Sequence, residues 1–190
     1  QLGFESESTR GFSFYEAIKR LIDIICSFVG ILVLSPLFII IAIIIKFTSK
    51  GPVFFSQKRV GRNGKEFDMY KFRSMVVNAE ELKEKLAAQN EMSGPMFKMK
   101  DDPRVTKVGK FIRKTSIDEL PQLWNILKGD MSLVGPRPSL PKEVAQFDEW
   151  MYKRLEVKPG LTCYWQVSGR NNISWEEKFT YDLRYIKKIT

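Results

Sequence analysis

The strongest pattern along the chain is an early apolar run. The 22 residues from Ile24 to Ile45 carry no charge. At 1.5 Å per residue a straight helix of that length reaches about 30 Å, the depth of a hydrocarbon core. The ten residues before it (14–23, FYEAIKRLID) place Phe14, Ala17, Ile18, Leu21 and Ile22 at helical spacing, so they continue into the run or lie at the membrane surface. A cleavable signal peptide fits poorly, because the run lacks a small-residue cleavage site near its end and leads into Lys46 and Lys50. Two features complicate a plain span. Ser35-Pro36 sits mid-run, where proline removes a helical hydrogen bond and crowds the preceding turn. Both flanks are basic (Lys19 and Arg20 before, Lys46, Lys50, Lys58, Arg59 and Arg62 after), and basic flanks favour the cytoplasmic side. A re-entrant segment with two short legs and a single proline-kinked span both stand open on this pattern.

Past residue 50 the periodicity shortens. Gly51-Pro52 marks a turn, VFFSQKRVG reads as a strand, Gly61–Gly64 as a turn and EFDMYKFRSM as a second, alternating strand, together a hairpin. Residues 76–90 predict an amphipathic helix starting near Asn78, and 91–103, with Gly94-Pro95 and Asp102-Pro103, predict a loop. VTKVGKFIRKTS is a short helix or an irregular basic segment, DELPQLWNILKG a helix ending at Gly129, and MSLVG a short strand. Val144, Phe147, Met151 and Leu155 make a helical stripe across 141–157. LTCYWQVSG is strand-like, Gly169–Asn172 a loop, and 174–188 a last helix that Ser174 and Glu177 open as a capping box. Residues 1–13 are polar and read as a linker or an expression remnant. The helix at Thr190 has no terminating signal, as in a truncated chain.

Composition then removes whole chemistries. The 190 residues include no histidine, which excludes a Ser-His-Asp triad, a Cys-His pair and an imidazole base. Two cysteines, Cys26 and Cys163, cannot build a four-thiolate zinc site, and a disulfide framework is not expected. The net charge of +9 points to an anionic partner: nucleic acid, phospholipid or a phosphorylated small molecule.

Four constellations carry candidate chemistry. Asp118 and Glu119 open a helix, where acids complement the dipole and Asp118 would serve as the cap, since Pro121 then falls in the first turn. Their surroundings offer a second reading. Lys98 to Lys114 carries seven basic residues against two acidic, and paired carboxylates among cations suit a magnesium and phosphate site. In Gly135-Pro136-Arg137-Pro138 two prolines hold one arginine on a rigid loop, suited either to bidentate phosphate binding or to a structural salt bridge. Gly169-Arg170-Asn171-Asn172 precedes a capped helix, a weaker anion signal. Gln57-Lys58-Arg59 and Lys71-Phe72-Arg73 alternate basic and aromatic residues, as nucleic-acid contacts or as pins against lipid headgroups.

In this order the apolar helix broken at Ser35-Pro36, QKRVG, YKFRSM, DELPQLWNILKGDMSLVGPRP, KPGLT and WQVSGRNNISWEEKF resemble the bacterial sugar transferase family, the monotopic phosphoglycosyl transferases. The likeness runs from about Phe14 to Ile186, and WQVSGR leans toward the catalytic domain of the larger members. The resemblance implies an α+β fold: a re-entrant membrane helix-break-helix over 14–50, then a small mixed catalytic domain over 51–190 with amphipathic interfacial helices, at the cytoplasmic face of the bacterial inner membrane. It implies transfer of a sugar 1-phosphate from a UDP-sugar to polyprenyl (undecaprenyl) phosphate with release of UMP, using Mg²⁺ as cofactor. Asp118 would be the nucleophile, forming an aspartyl phosphosugar, and Glu119 its partner at the metal. Arg113, Arg137 and Arg170 would offset phosphate charge, and Asp182 joins them as a binding candidate whose bland reading is an exposed helix position. Inner-membrane phospholipid is a further expected partner, nucleic acid is not, and a homodimer stays open. One departure stands out: Cys163 follows Pro159-Gly-Leu-Thr where the family often has glycine. The competing functions are a membrane-anchored basic binding module, which gives the dyad no role, and a catalytically silent scaffold.

Overall fold

A computed structural model describes residues 14–86, 99, 101–168 and 174–189. The expectations for residues 1–13, for most of the 91–103 loop and for the loop carrying Arg170 lie outside the described residues.

The apolar run and its leading segment form one helix, α1 (Phe14–Thr48). It is the one helix among the described residues long and apolar enough to cross a membrane, and only 11% of its most apolar stretch is buried by protein. Pro36 lies inside it, and the helix continues through that position rather than stopping. Proline cannot supply the N–H that Leu32 O would accept four residues back. The Ser35 hydroxyl donates to that carbonyl instead, at 2.8 Å. The break expected at Ser35-Pro36 is therefore not seen as an interruption of the helix.

One stripe of α1 packs on the rest of the chain along its length. Ile31, Leu34 and Phe38 meet Phe67, Met69, Leu123 and Ile126. Ile41 and Ile45 meet Phe72 and Ile112. Both ends are tied to the same body. Near the start, Arg20 donates to Ile126 O (2.6 Å) and Leu127 O (2.8 Å), and Asp23 accepts from Ser132 Oγ and Leu133 N, both at 3.0 Å. At the far end, Arg73 donates to Ser49 O (2.9 Å), to Ser49 Oγ (2.8 Å) and to the Lys50 carbonyl. The remaining faces, with Leu21, Phe28, Leu32, Val33 and Ile40 exposed, have no protein cover.

The predicted hairpin is present. Strands β1 (Phe54–Val60) and β2 (Glu66–Phe72) pair antiparallel from Phe54↔Phe72 to Val60↔Glu66, turning through Asn63 at φ 57°. Period-two alternation puts Lys71 on the same side of β2 as Phe67 and Met69. Helix α2 (Ala79–Lys85) follows. Helix α3 (Lys107–Lys114) is capped by Thr106, whose hydroxyl accepts from Gly109 N at 2.9 Å. Gly109 is required there, since a Cβ would lie 1.9 Å from Ser74 O.

Helix α4 (Gln122–Lys128) ends at Gly129 in the left-handed conformation, as expected. Its Asn125 is buried and stands in for a strand: the side chain donates to Asp68 O (2.7 Å) and accepts from Tyr70 N (3.1 Å), filling the second edge of β2.

Strand β3 (Ser132–Val134) pairs in parallel with β4 (Gly160–Thr162). Two expectations are corrected in this half. The stripe across 141–157 is buried as predicted, but not on one helix. Helix α5 (Pro141–Val144) stops, Asp148 adopts extended backbone at φ −71° and ψ 161°, and a 3₁₀ helix runs over Glu149–Glu156. Val144, Phe147, Met151 and Leu155 still share one core with Val60 and Phe179. LTCYWQVSG is strand only at its start. Its partner β3 has three residues, so β4 ends at Thr162 and α6 (Tyr164–Val167) follows. Helix α7 (Trp175–Ile189) opens with the predicted box: Glu177 N donates to Ser174 Oγ (3.2 Å) and Ser174 N to Glu177 Oε2 (2.7 Å).

Candidate active site

The chain reaches Asp118 by an unusual turn. After α3, Ser116 sits at φ 59° and ψ 16°, the left-handed region that non-glycine residues seldom occupy. A single 3₁₀ turn, Ile117–Glu119, then carries both acids. This corrects the capping reading. Neither Ser116 nor Asp118 caps a helix with its side chain, because Pro121 takes the position ahead of α4 and leaves the acids on a separate turn. Their carboxylates are therefore not used in capping.

Asp118 is 7% exposed. Burial pushes its carboxyl above the ordinary value, the neighbouring Lys71 charge opposes this, and the Glu119 charge adds to it. Glu119 behaves in the opposite way. Burial alone would raise it, but Arg137 and Lys71 outweigh burial and hold it at about 2. The two cations converge on one atom: Lys71 Nζ lies 2.8 Å and Arg137 Nη2 2.7 Å from Glu119 Oε1. Burial and the Arg137 charge together lower the Lys71 ammonium. Arg113, exposed in the last turn of α3, adds its field at Asp118.

The loop bearing Arg137 is fixed at four consecutive carbonyls, each by a different group. Gly160 N donates to Pro136 O (2.9 Å), Arg154 to Arg137 O (2.7 Å), Arg59 to Pro138 O (3.0 Å) and Val60 N to Ser139 O (2.9 Å). Glycine is needed where this loop crosses the turn before β4, since a Cβ on Gly160 would lie 2.1 Å from Gly135 N. The cavity behind the loop is about 10 Å³, room for one water at most.

The structure thus brings Asp118, Glu119, Arg137 and the charge of Arg113 together. It sets Asp182 apart. This residue is neither an exposed helix position nor open to a substrate: it is 1% exposed and lies 2.7 Å from Arg154 Nη2. Burial, only partly opposed by Arg154, lifts its carboxyl to about 6. Arg170 lies outside the described residues. Two site residues were passed over in the sequence. Lys71 and Arg59 belonged to runs read as nucleic-acid or headgroup contacts; in the structure Lys71 holds Glu119, Arg59 holds the Arg137 loop, Arg73 donates to Ser49 just past α1 and Lys58 pairs with Asp68 at 3.0 Å. The alternation of β2, which aims Lys71 to the Phe67 side, was the available signal.

Two adjacent carboxylates suit a particular kind of metal site. Among the described residues no group of three or more His, Cys, Asp or Glu is assembled, so an all-protein cage is not on offer. Magnesium needs none, because it binds through one or two carboxylates together with substrate phosphates and water. Asp118 and the Glu119 oxygen not engaged by Lys71 and Arg137 fit that requirement.

A sequence profile of the family described as bacterial sugar transferase matches residues 14–190. The chain is 52% identical over 171 residues to the galactosyl transferase CpsE of Streptococcus agalactiae serotype III, covering 90% of this chain and 38% of that protein. It is 46% identical over 177 residues to the undecaprenyl-phosphate galactose phosphotransferase of Salmonella typhimurium, covering 91% and 37%. It is 41% identical over 173 residues to the exopolysaccharide production protein ExoY of Rhizobium meliloti, covering 89% and 76%. The chain therefore spans under two-fifths of the first two relatives and about three-quarters of the third.

Proposed function

Because this chain belongs to the bacterial sugar transferase family, we propose that it transfers a sugar 1-phosphate from a UDP-sugar to undecaprenyl phosphate and releases UMP. The observation that carries this reading is the convergence of Lys71 and Arg137 on Glu119 beside the buried, raised Asp118. Such an arrangement separates two adjacent acids by role. Glu119 stays ionised throughout, and Asp118 is the more basic carboxylate and so the better nucleophile.

In the first step an Asp118 carboxylate oxygen attacks the sugar-bearing phosphorus. The bond from that phosphorus to the bridging oxygen breaks, and UMP leaves with the electron pair. An aspartyl phosphosugar remains. In the second step an oxygen of undecaprenyl phosphate attacks the same phosphorus and Asp118 departs as a carboxylate. A carboxylate approaching a phosphate meets like charge, and the positioned cations Lys71 and Arg137, with the charge of Arg113 nearby, lower that barrier. Mg²⁺ bound by Asp118 and Glu119 would supply further neutralisation of phosphate oxygens and leaving group.

Two steps at one site let a soluble donor and a lipid acceptor take turns. That requires the site to sit at a membrane surface. The apolar, uncovered faces of α1 supply the membrane segment, and the hydrogen bonds tying both its ends to one globular body argue for a helix held from one side of the membrane rather than a full crossing. The reading places the protein at the cytoplasmic face of the inner membrane, on phospholipid, at the start of surface-polysaccharide assembly. Release of UMP from a panel of UDP-sugars, galactose first, tests it in detergent with Mg²⁺ and undecaprenyl phosphate. Release from one donor that disappears in Asp118→Asn is expected. Release that persists in the variant removes Asp118 from the chemistry.

A further inference from the structure

Arg137 reaches Glu119 from a loop, and loops need bracing to hold a charge within a few tenths of an ångström. Three of the four carbonyl ties on that loop come from β1 and β4, its immediate neighbours in the fold. The fourth comes from Arg154, which is 7% exposed. Its Nη2 donates to Arg137 O at 2.7 Å and its Nη1 to Ser139 Oγ at 2.9 Å, so one planar fork holds a backbone carbonyl before Pro138 and a side-chain hydroxyl after it. The fork is itself caged. Asp182 Oδ2 of α7 lies 2.7 Å from Nη2, and the Phe179 ring lies 4.6 Å from the guanidinium carbon.

A caged ion pair of this kind is a poor device for stability. Desolvating two charges costs several kcal/mol, and apolar replacements of equal volume are commonly neutral or stabilising. What the pair does supply is direction, since a guanidinium fork fixes two acceptors in one plane. We propose that Arg154, gripped by Asp182, is a positioning residue that holds Arg137 in register with Glu119 and with the phosphates of the donor. This rests on the transfer reading above and extends it to α7, whose Asp182 acts through two other residues rather than on substrate.

A double-mutant cycle tests the proposal, read through both UDP affinity by calorimetry and turnover by UMP release, on the 190-residue chain in detergent. Arg154→Met and Arg137→Ala each lower kcat/KM by about tenfold or more. In the Arg137→Ala background, Arg154→Met causes no further loss, because the group it positions is gone. Arg154→Lys, which keeps the Asp182 pair but loses the fork, falls between Met and wild type. A thermal melt accompanies each variant, and where Arg154→Met is unfolded at the assay temperature the cycle is run with Asp182→Asn. Losses that multiply across the cycle, or an Arg154→Met variant within twofold of wild type, overturn the proposal. A wild type that binds UDP but releases no UMP overturns the transfer reading while leaving the cycle readable through affinity. A wild type that does neither overturns both.

Discussion

Replacing Glu119 by Gln removes one charge and keeps the shape, which isolates what the two cations do. The side chain is 17% exposed, so solvent screens the pairs little. Lys71 and Arg137, net of the opposing burial, move the carboxyl from its ordinary 4.5 to about 2. A displacement of that size corresponds to about 3 kcal/mol of folding free energy. The sign follows from its direction. The folded-state value lies below the unfolded one, so this stability is complete above about pH 4.5 and drains as pH falls toward about 2. In a chain of this size about 3 kcal/mol moves the unfolding midpoint by about 10 °C. Tryptophan fluorescence melts in detergent, from about pH 7 to about pH 3, are the assay. Wild type should melt about 10 °C above Glu119→Gln near neutrality, with the gap narrowing below about pH 4.5. Equal midpoints near neutrality, or a gap unchanged at about pH 3, would refute the assignment of Lys71 and Arg137 as the groups that hold Glu119 ionised.

Three further outcomes are expected. Lys71→Met removes the charge that opposes the rise of the Asp118 carboxyl, so the nucleophile ionises at higher pH and the acidic limb of the pH–rate profile moves up, as initial rates across a pH series would show. Ile126→Ala, at a position with 0% exposure between α1 and β2, costs about 2–5 kcal/mol by thermal or denaturant unfolding. Gly160→Ala forces the β4 turn away from Gly135, where the new Cβ would sit 2.1 Å from the backbone nitrogen. It should cost turnover heavily even where a melt still shows a folded protein, because the Arg137 loop moves with it.

Local chemistry was legible where one segment decides its own structure. Alternation and the Gly61–Gly64 turn announced the hairpin, Gly129 the end of α4, and Ser174 with Glu177 the start of α7. The stripe from Val144 to Leu155 identified buried residues correctly but not their backbone, since two short pieces meeting at Asp148 bury the same side chains as one helix. Pro36 suggested a break because the pattern could not show that the Ser35 hydroxyl would take the place of the missing N–H at Leu32 O. The dyad and GPRP were visible as motifs, and their likeness to a known family supplied roles. Their meeting was not visible. Lys71 and Glu119 are 48 positions apart and Arg137 and Glu119 are 18 apart, and no local period encodes such pairings. Asp182 shows the same limit: its helical position was plain, while its burial against Arg154 depends on how α7 packs on the 3₁₀ helix.

The two-step transfer proposed above requires Asp118 to become covalently loaded. Intact-protein mass spectrometry after exposure to the active UDP-sugar with Mg²⁺, without acceptor, addresses it most directly. A mass gain of one phosphosugar is expected, mapped by peptide analysis to Asp118, absent in Asp118→Asn and cleared on adding undecaprenyl phosphate. UMP release that proceeds with no adduct at any time, or an adduct on another residue, would contradict it.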